Sequence, residues 1–196
     1  GRTEGAISIE GALSTVFEVI RVPRGLEDAI AAALSDQLEA FVFERQSEAI
    51  AAIQSVIAQN GPRTVVIPLD TMKPLYPLSL MKEKGVVGVA ARLVKYQQRF
   101  EKLVNALLGR TIVVQDAQTA ARLVKRGIAT VVTQDGVVFH PAGHISGGKA
   151  EAGREFAMAY ERDLELIPKE AEKVQRSMAV TAREAESLRE ELREGE

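Results

Sequence analysis

Apolar positions along residues 11–67 switch between the spacing of strands and the spacing of helices. Runs rich in β-branched or aromatic residues predict three strands, at 16–22, 40–43 and 64–67. Helical spacing over residues 26–38 predicts a helix between the first two strands. A second helix is expected after Ser47, a suitable N-cap, and one face of it carries Ile50, Ile53 and Ile57.

The alternation stops at residues 68–84, where three prolines exclude a regular element, and then returns. Two further helices are predicted, one ending at Gly109 and one covering residues 117–125. The turn signal Gln134-Asp135-Gly136 predicts a hairpin between two β-prone runs. The predicted strands of this stretch are 86–93, 111–114, 128–133 and 137–139.

The two stretches have a similar order of elements. FVFERQSEAI at 41–50 aligns without gaps on IVVQDAQTAA at 112–121, and each segment follows a predicted helix. The pattern therefore predicts a mixed α/β (α+β) fold of two similar small subdomains, covering residues 1–75 and 76–150.

Residues 151–196 have a different pattern. From Ala157 to Leu192, apolar residues recur in steps of three and four through five heptads, and most other positions are charged. Pro168 interrupts the stripe and should kink the helix. Since a long amphipathic helix needs a partner, we expect the start of a coiled coil whose second helix lies before Gly1 or in another chain.

Composition narrows the chemistry available. The 196 residues contain no Cys, which excludes disulfides and zinc sites built on cysteine. The two histidines, His140 and His144, are separated by Pro141 and Gly143, so they do not share a helix face and a metal site is not expected. Neither a signal peptide nor an apolar run long enough to span a membrane is visible. A cytoplasmic protein without a cofactor is the expectation.

One segment invites an enzymatic interpretation. From Gly143 to Lys149 the chain nearly matches the phosphate-binding loop of nucleotide hydrolases, yet Ala150 stands where that loop has a hydroxyl to bind Mg²⁺. Ser146 has no base at a recognisable spacing, and Asp70, Asp116 and Asp135 form no pair. No catalytic set is predicted, and a nucleotide-binding enzyme domain remains an alternative.

Charge is distributed unevenly over a chain whose net charge is −2. Residues 82–126 contain ten basic and three acidic residues, and such a local excess attracts polyanions. Lys95, Arg99 and Lys102 are spaced four and three apart, so they share a helix face if that helix starts early enough, and there they would contact phosphates without regard to sequence. The candidate DNA-binding residues are Lys82, Lys84, Arg92, Lys95, Arg99, Lys102 and Arg110. Tyr96 could stack on bases, whereas Phe100 is expected in the core.

An ordered set of segments from Gly11 to Gly148 resembles the hinge domain of structural-maintenance-of-chromosomes (SMC) proteins of the bacterial or archaeal condensin type. The segments are VIRVPRGLEDAIAAALSDQLEAFVF (19–43), AI-x-x-I (49–53), T-x-x-x-PLD (64–70), GVVGVAARLV (85–94), LLGRTIVV (107–114), VVTQDG (131–136) and PAGHISGG (141–148). No single segment is decisive, but the ordered set is specific.

The resemblance implies a two-subdomain hinge that forms a homodimer, and an antiparallel coiled coil that leaves it. By motif match, the interface glycines are Gly85, Gly88, Gly147 and Gly148. The resemblance also implies that ATP hydrolysis belongs to head domains outside this chain, that the incoming coil is missing here, and that the protein associates with the nucleoid. A structural dimeriser without DNA contact is the remaining alternative.

Overall fold

The computed structural model describes residues 9–80 and 83–148, together with Phe156, Met158 and Ala159. The chain divides after residue 157 into two units. The second unit is described only by Met158 and Ala159, which are helical. The coiled coil predicted for 151–196 therefore lies almost wholly outside the described residues and stays a prediction.

The first half of the chain builds a three-stranded sheet with helices before and after its central strand. Its strands are β1 (Ser14–Thr15), β2 (Phe41–Phe43) and β3 (Val66–Pro68). Its helices are α1 (Val16–Val19), α2 (Glu27–Leu34) and α3 (Gln46–Ala58), with a 3-10 turn at Ser35–Gln37. In the order β1-β2-β3, β1 is antiparallel to β2 and β2 is parallel to β3.

The second half repeats this plan and extends it. Its strands are β4 (Val86–Val89), β5 (Thr111–Val114), β6 (Thr130–Thr133), β7 (Val138–Phe139) and β8 (Ile145–Ser146), which form one sheet in that order. Its helices are α4 (Ala90–Leu93), α5 (Glu101–Leu108) and α6 (Ala117–Val124), with a 3-10 turn at Gln98–Phe100. The predicted hairpin is confirmed, since β6 and β7 pair antiparallel around the turn at 134–136.

The two halves are similar in structure as well as in sequence. The helix pairs α1/α4 and α2/α5 each begin 74 residues apart, and in both halves an antiparallel pair of strands is followed by a parallel pair. Arg21 and Lys95, also 74 residues apart, join the halves directly through an antiparallel bridge. Its two N–H···O=C bonds measure 2.8 and 2.9 Å, so equivalent positions of the two halves face each other. The mixed α/β fold is as predicted, the structure divides its strands between two sheets, and the subdomain boundary at residue 75 stays a prediction.

Most of the core is shared between the halves. The largest buried cluster contains α1 and α2 residues together with α4 and α5 residues, including Ile30, Leu34, Leu103 and Val104. Phe156 belongs to this cluster and stacks on Phe17, with ring centroids 4.7 Å apart. Each half also has a smaller buried cluster of its own, built around its last helix, α3 or α6. One contains Phe43, Ala49 and Ala52; the other contains Ile112, Val114, Ala120, Leu123, Ala129, Val131 and Phe139.

Two predicted strands are wrong in the same way. Residues 16–22 begin with helix α1, and residues 86–93 are a strand only to Val89 before helix α4 begins. Helix α1 starts in a capping box: the Thr15 hydroxyl accepts from the Glu18 amide, and the Glu18 carboxylate accepts from the Thr15 amide. These reciprocal bonds satisfy end groups of the helix and outweigh the β-propensity of Val16 and Val19.

Candidate functional site

The four glycines of interest lie at opposite edges of the five-stranded sheet. Gly85 and Gly88 belong to or adjoin β4, the first strand in the sheet order. Gly147 and Gly148 directly follow β8, the last strand. Within the described chain both of these strands pair on one side only, so each presents unpaired backbone groups along its outer side.

Packing within the chain explains the glycine at 85 and, more weakly, the glycine at 88. Gly85 has a φ of +82°, and a Cβ there would lie 2.5 Å from the Thr119 hydroxyl oxygen on α6. Thr119 is fixed in turn, because its amide and its hydroxyl both donate to the Asp116 carboxylate that caps α6. A Cβ at Gly88 would lie 3.1 Å from the flexible Leu93 side chain. A bulge between Val86 and Gly88 also interrupts the β4–β5 register beside these glycines.

No neighbouring side chain crowds Gly147 or Gly148 in this way, although Gly148 has a φ of +133°, a backbone conformation that favours glycine. Both are exposed; a Cβ at Gly148 would meet nothing within 4 Å, and one at Gly147 would make only ordinary contact with Val137. With Ser146 they line an open cleft of about 260 Å³, whose other wall includes Ala31, Ala32 and Ser35 from α2 and its end. Ile145, in β8, is 61% exposed. This edge therefore combines free strand backbone, an exposed apolar side chain and room for close approach.

The described residues of the near match to a phosphate-binding loop, 143–148, do not have the geometry of such a loop. Such a loop curls its backbone amides around a phosphate between a strand and a helix. Here Ile145–Ser146 is itself a strand paired with β7, and the His140 amide donates to the His144 carbonyl oxygen at 3.0 Å to close the hairpin. Lys149 lies outside the described residues.

The two histidines lie together at this hairpin, which their sequence spacing alone did not predict. Their rings stack with centroids 4.0 Å apart. Burial lowers the pKa of His140 below its usual value, and the neighbouring charge of His144 lowers it further. No group of three or more His, Cys, Asp or Glu residues suited to a metal occurs among the residues described.

The condition for a common helix face of basic residues is not met, because α5 starts only at Glu101. Lys95 lies in the bridge to Arg21, Arg99 lies in the 3-10 turn and Lys102 lies in α5, so three different elements carry them. All three side chains are exposed, as is Arg92 on α4. The Arg99 guanidinium lies over the ring of Phe100, 4.6 Å from its centroid, and Phe100 is buried as expected.

The bridge adds a basic residue that the sequence interpretation missed. Arg21 is exposed and faces Lys95 across the bridge, while its guanidinium donates to the Glu18 carbonyl oxygen at 2.8 Å. The signal that could have identified it is the 74-residue spacing between the halves, which makes Arg21 the counterpart of Lys95.

The remaining candidates lie around α6 and the start of β4. Arg110 donates to the Ile128 carbonyl oxygen at 3.0 Å, and Arg122 approaches the Lys84 carbonyl oxygen at 3.5 Å. The Glu83 carboxylate accepts from Arg126 and from Arg122 at 2.7 and 3.0 Å, which holds its pKa below the usual value. This ion-pair network reduces the free positive charge of the segment. Lys82 lies outside the described residues.

None of the helices in the described part of the chain combines the length and apolar content needed to cross a membrane.

A model of the family described as SMC proteins Flexible Hinge Domain matches residues 9–124. The chromosome partition protein Smc of Aquifex aeolicus is 30% identical over 185 residues, which cover 92% of this chain and 16% of that protein. The chain thus spans about one sixth of its curated relative.

Two solved structures have the same fold. An SMC hinge domain of Geobacillus stearothermophilus, crystallised as an asymmetric dimer, is 28% identical with a TM-score of 0.71, covering 88% of this chain and 74% of that one. The Pyrococcus furiosus SMC protein hinge domain is also 28% identical, with a TM-score of 0.61 and coverage of 72% and 75%.

Proposed function

The chain belongs to the family of SMC flexible hinge domains, and we propose that it is the homodimerisation hinge of an SMC chromosome condensation and segregation ATPase. The matched relatives are chromosome partition proteins about six times as long, so ATP hydrolysis would reside in their other parts. Residues 151–196 would start one coiled-coil rod and pair with an antiparallel helix of the same parent chain. The parent protein would act in the cytoplasm, associated with the nucleoid.

The observation that carries the dimer proposal is the placement of the glycines at two opposite edges of one sheet. If the β4 edge of one chain meets the β8 edge of another, a two-fold axis generates the same contact a second time. The assembly then closes and leaves neither edge of the five-stranded sheet free to recruit further chains. The Geobacillus hinge domain, whose structure is a dimer, has the same fold and supports this proposal.

The two glycine pairs would contribute differently. Gly147 and Gly148 would permit close approach of the partner, because among the described residues a Cβ at Gly148 meets nothing within 4 Å and one at Gly147 makes only ordinary contact with Val137. Gly85 would act chiefly by allowing β4 to lie against Thr119, which shapes the edge that the partner meets. Gly88 would give the bulged edge strand its local path beside Leu93.

The dimer proposal is tested by replacing Gly147 and Gly148 together with Glu. Buried, unpaired carboxylates at a close contact cost several kcal/mol, so the dimer dissociation constant should rise about a hundredfold or more. Gly143→Glu is the matched control, since Gly143 is also exposed, has a φ of +100° and would meet nothing within 4 Å. Light scattering should find a folded monomer for the double variant and a dimer for the control. A wild-type chain that is monomeric at micromolar concentration would overturn the proposal.

We further propose weak, sequence-independent DNA binding, supported by the ten basic residues of 82–126 and by Arg21 facing Lys95. The test leaves Arg99 unchanged, because its guanidinium lies over the Phe100 ring and its removal would disturb packing. Lys95→Glu with Lys102→Glu should weaken binding and reduce the log–log salt slope by about 0.9 for each phosphate that the variant no longer neutralises.

Arg45→Glu with Arg63→Glu changes the net charge equally on exposed positions of the first half and should leave the slope nearly unchanged. Equal effects from both pairs would show that only net charge matters. No effect from either pair would favour the alternative of a structural dimeriser without DNA contact.

A further inference from the structure

The two histidines of the chain stand directly opposite each other in the β7–β8 hairpin. The last pair of the ladder is Phe139 with Ile145. One step further in the same register, the His140 amide donates to the His144 carbonyl oxygen at 3.0 Å. Directly opposed residues of an antiparallel pair project to the same face, with Cβ atoms about 4.5–5.5 Å apart. The hairpin therefore brings together two imidazoles that could not have shared a helix face.

The two rings are close enough to serve one metal ion. They stack with centroids 4.0 Å apart and planes inclined by 18°. Two nitrogens bound to one tetrahedral ion, with bonds of about 2.0–2.1 Å, are about 3.3 Å apart. The ring torsion of histidine is broad, so a small rotation of either ring closes this difference without moving the backbone.

The backbone that carries the pair is held in place by its own loop. Three residues, Pro141, Ala142 and Gly143, connect the histidines. Pro141 fixes its own φ, and Gly143 turns the chain with a φ of +100° while its amide donates to the His140 carbonyl oxygen at 2.9 Å. Since the two ligand positions are already fixed relative to each other, little conformational entropy is lost when both bind an ion.

The protonation and exposure of the pair also suit a metal ligand. A metal binds the neutral imidazole, so a proton on the ring competes with it. Burial lowers the pKa of His140, and the neighbouring charge of His144 lowers it further, so His140 is neutral at pH 7. His144 is exposed, which leaves the pair open to an ion arriving from solvent.

We propose that His140 and His144 form a two-histidine site for a divalent ion of the later first-row metals, such as Zn²⁺. Imidazole nitrogen suits Zn²⁺, Ni²⁺ and Cu²⁺. Among the described residues no third His, Cys, Asp or Glu joins the pair, so water would fill the remaining coordination positions. A bound ion would link the residue after β7 to the residue before β8 and fasten the edge strand. The proposal rests on neither the dimer nor the DNA proposal.

Nuclear magnetic resonance of the ring nitrogens tests the site directly. The chain contains no other His and no Cys, so an untagged sample gives signals from these two imidazoles alone. Zn²⁺ should shift the ring nitrogens of both histidines together and reach saturation at one ion per chain. The second imidazole binds an ion already held by the first, at high effective concentration, so chelation should strengthen binding about a hundredfold or more over a single histidine.

Titration calorimetry with Zn²⁺ measures this gain. His144→Gln removes an exposed ligand and leaves the packing of His140 intact, and the dissociation constant should rise about a hundredfold. His140→Gln should have the same effect. Ala142→Gln is the matched control, because it is an exposed position of the same loop and retains both imidazoles. Excess Zn²⁺ should also raise the thermal midpoint of wild type and of the control, but not that of His144→Gln.

Three results would overturn the proposal. A shift confined to one histidine would show that the imidazoles do not chelate. Unchanged Zn²⁺ affinity in the double variant His140→Gln, His144→Gln would assign the binding to carboxylates elsewhere on the chain. Saturation at one ion per two chains, with a mass that rises on addition of Zn²⁺, would show that the ion bridges chains instead. The dimer proposal is judged separately, by mass in the presence of a chelator.

Discussion

The first half of the fold (residues 14–68) and the second half (residues 86–146) run through the same order of strands and helices, but they finish differently. The cluster that includes α6 has seven buried residues, and the partly buried Leu78 and Leu80 of the connecting segment pack against it. Among the described residues, the cluster that includes α3 has three buried members, Phe43, Ala49 and Ala52, with the partly buried Ile9, Ala12, Phe41 and Val66 packed against them. The order of elements alone therefore does not determine how much apolar surface a repeated unit buries.

The difference arises after the parallel strand pair of each half. In the second half the chain continues into β7 and β8, and Phe139 of β7 closes the cluster behind α6. In the first half β3 ends the sheet. Ile50 and Ile57 on α3 remain 50% and 69% exposed, although they share a face with Ile53 as predicted. An apolar helix face is buried only where another element is placed against it.

The largest expected effect tests the small cluster of the first half. Phe43 is fully buried and is the counterpart of Val114, 71 residues later, which is also fully buried. Phe43→Ala should lower the free energy of unfolding by about 3–5 kcal/mol, and Val114→Ala by about 2 kcal/mol. Denaturant titrations of both variants measure this difference. Equal losses would mean that neighbouring residues refill the space around position 43.

Two glycines, Gly25 and Gly85, separate the cost of a strained backbone from the cost of steric crowding. Gly25 and Gly85 have nearly the same φ, +84° and +82°, but a Cβ meets nothing within 4 Å at Gly25 and lies 2.5 Å from the Thr119 hydroxyl oxygen at Gly85. Gly25→Ala should cost about 1–2 kcal/mol of stability from the left-handed backbone alone. Gly85→Ala should cost about 1–2 kcal/mol more, because the Thr119 hydroxyl must move.

Light scattering on the same two variants sharpens the result. If Gly85→Ala unfolds more easily and yet remains a dimer, the glycine serves packing within the chain. Dissociation with unchanged stability would instead assign Gly85 to the contact between chains.

Acid should affect the second half before the first. The Thr119 amide holds the pKa of Asp116 below its ordinary value, and Arg126 with Arg122 does the same for Glu83. Because both values are lower in the folded chain, the two carboxylates contribute stability above the unfolded pKa. That contribution is lost as pH falls through the lowered folded pKa. Asp116 is exposed and Glu83 is partly exposed, so we expect a smaller effect than in the core variants.

The measurement is amide exchange of α6 and α3 between pH 5 and pH 3. The α6 amides, Thr119 above all, should lose protection first. Glu83→Gln and Asp116→Asn remove the titrating groups, and Asn remains a good N-cap, so the double variant should show a flatter pH dependence. Simultaneous loss of protection in both helices would contradict the assignment to these carboxylates.

The smallest effect is expected on the open face of α3. Ile57→Gln replaces an exposed apolar side chain with one of better helix propensity, and the free energy of unfolding should change by no more than about 0.5 kcal/mol. A larger loss, or a change in the dimer dissociation constant, would show that another surface covers this face in the assembled protein.

Local signals predicted the elements that depend on nearby residues. Thr111–Val114 is an apolar run that forms the interior strand β5, buried along its whole length. Asp116 caps α6 within three residues, and the turn at 134–136 closes a hairpin whose strands are adjacent in sequence. The missed helix α1 also had a local signal, because Thr15 and Glu18 have the spacing of a capping box.

The site could be predicted only in part. The ordered segments from Gly11 to Gly148 identified the family, and sequence placed Gly147 and Gly148 after a β-run. Sequence did not separate their open surroundings from the crowding at Gly85, since Thr119 lies 34 residues further along the chain. It also grouped Lys95, Arg99 and Lys102 on one helix, although the chain changes element between them.

The sequence by itself determined the alternation of strands and helices, the repeat between the halves and the family, because these depend on residue spacing and on contacts within a few residues. Only the tertiary structure decided that the glycine pairs lie at opposite edges of one sheet, that Arg21 faces Lys95 and that α3 keeps isoleucines exposed. Each of these depends on which distant segments pack together, and burial and edge position are properties of that packing.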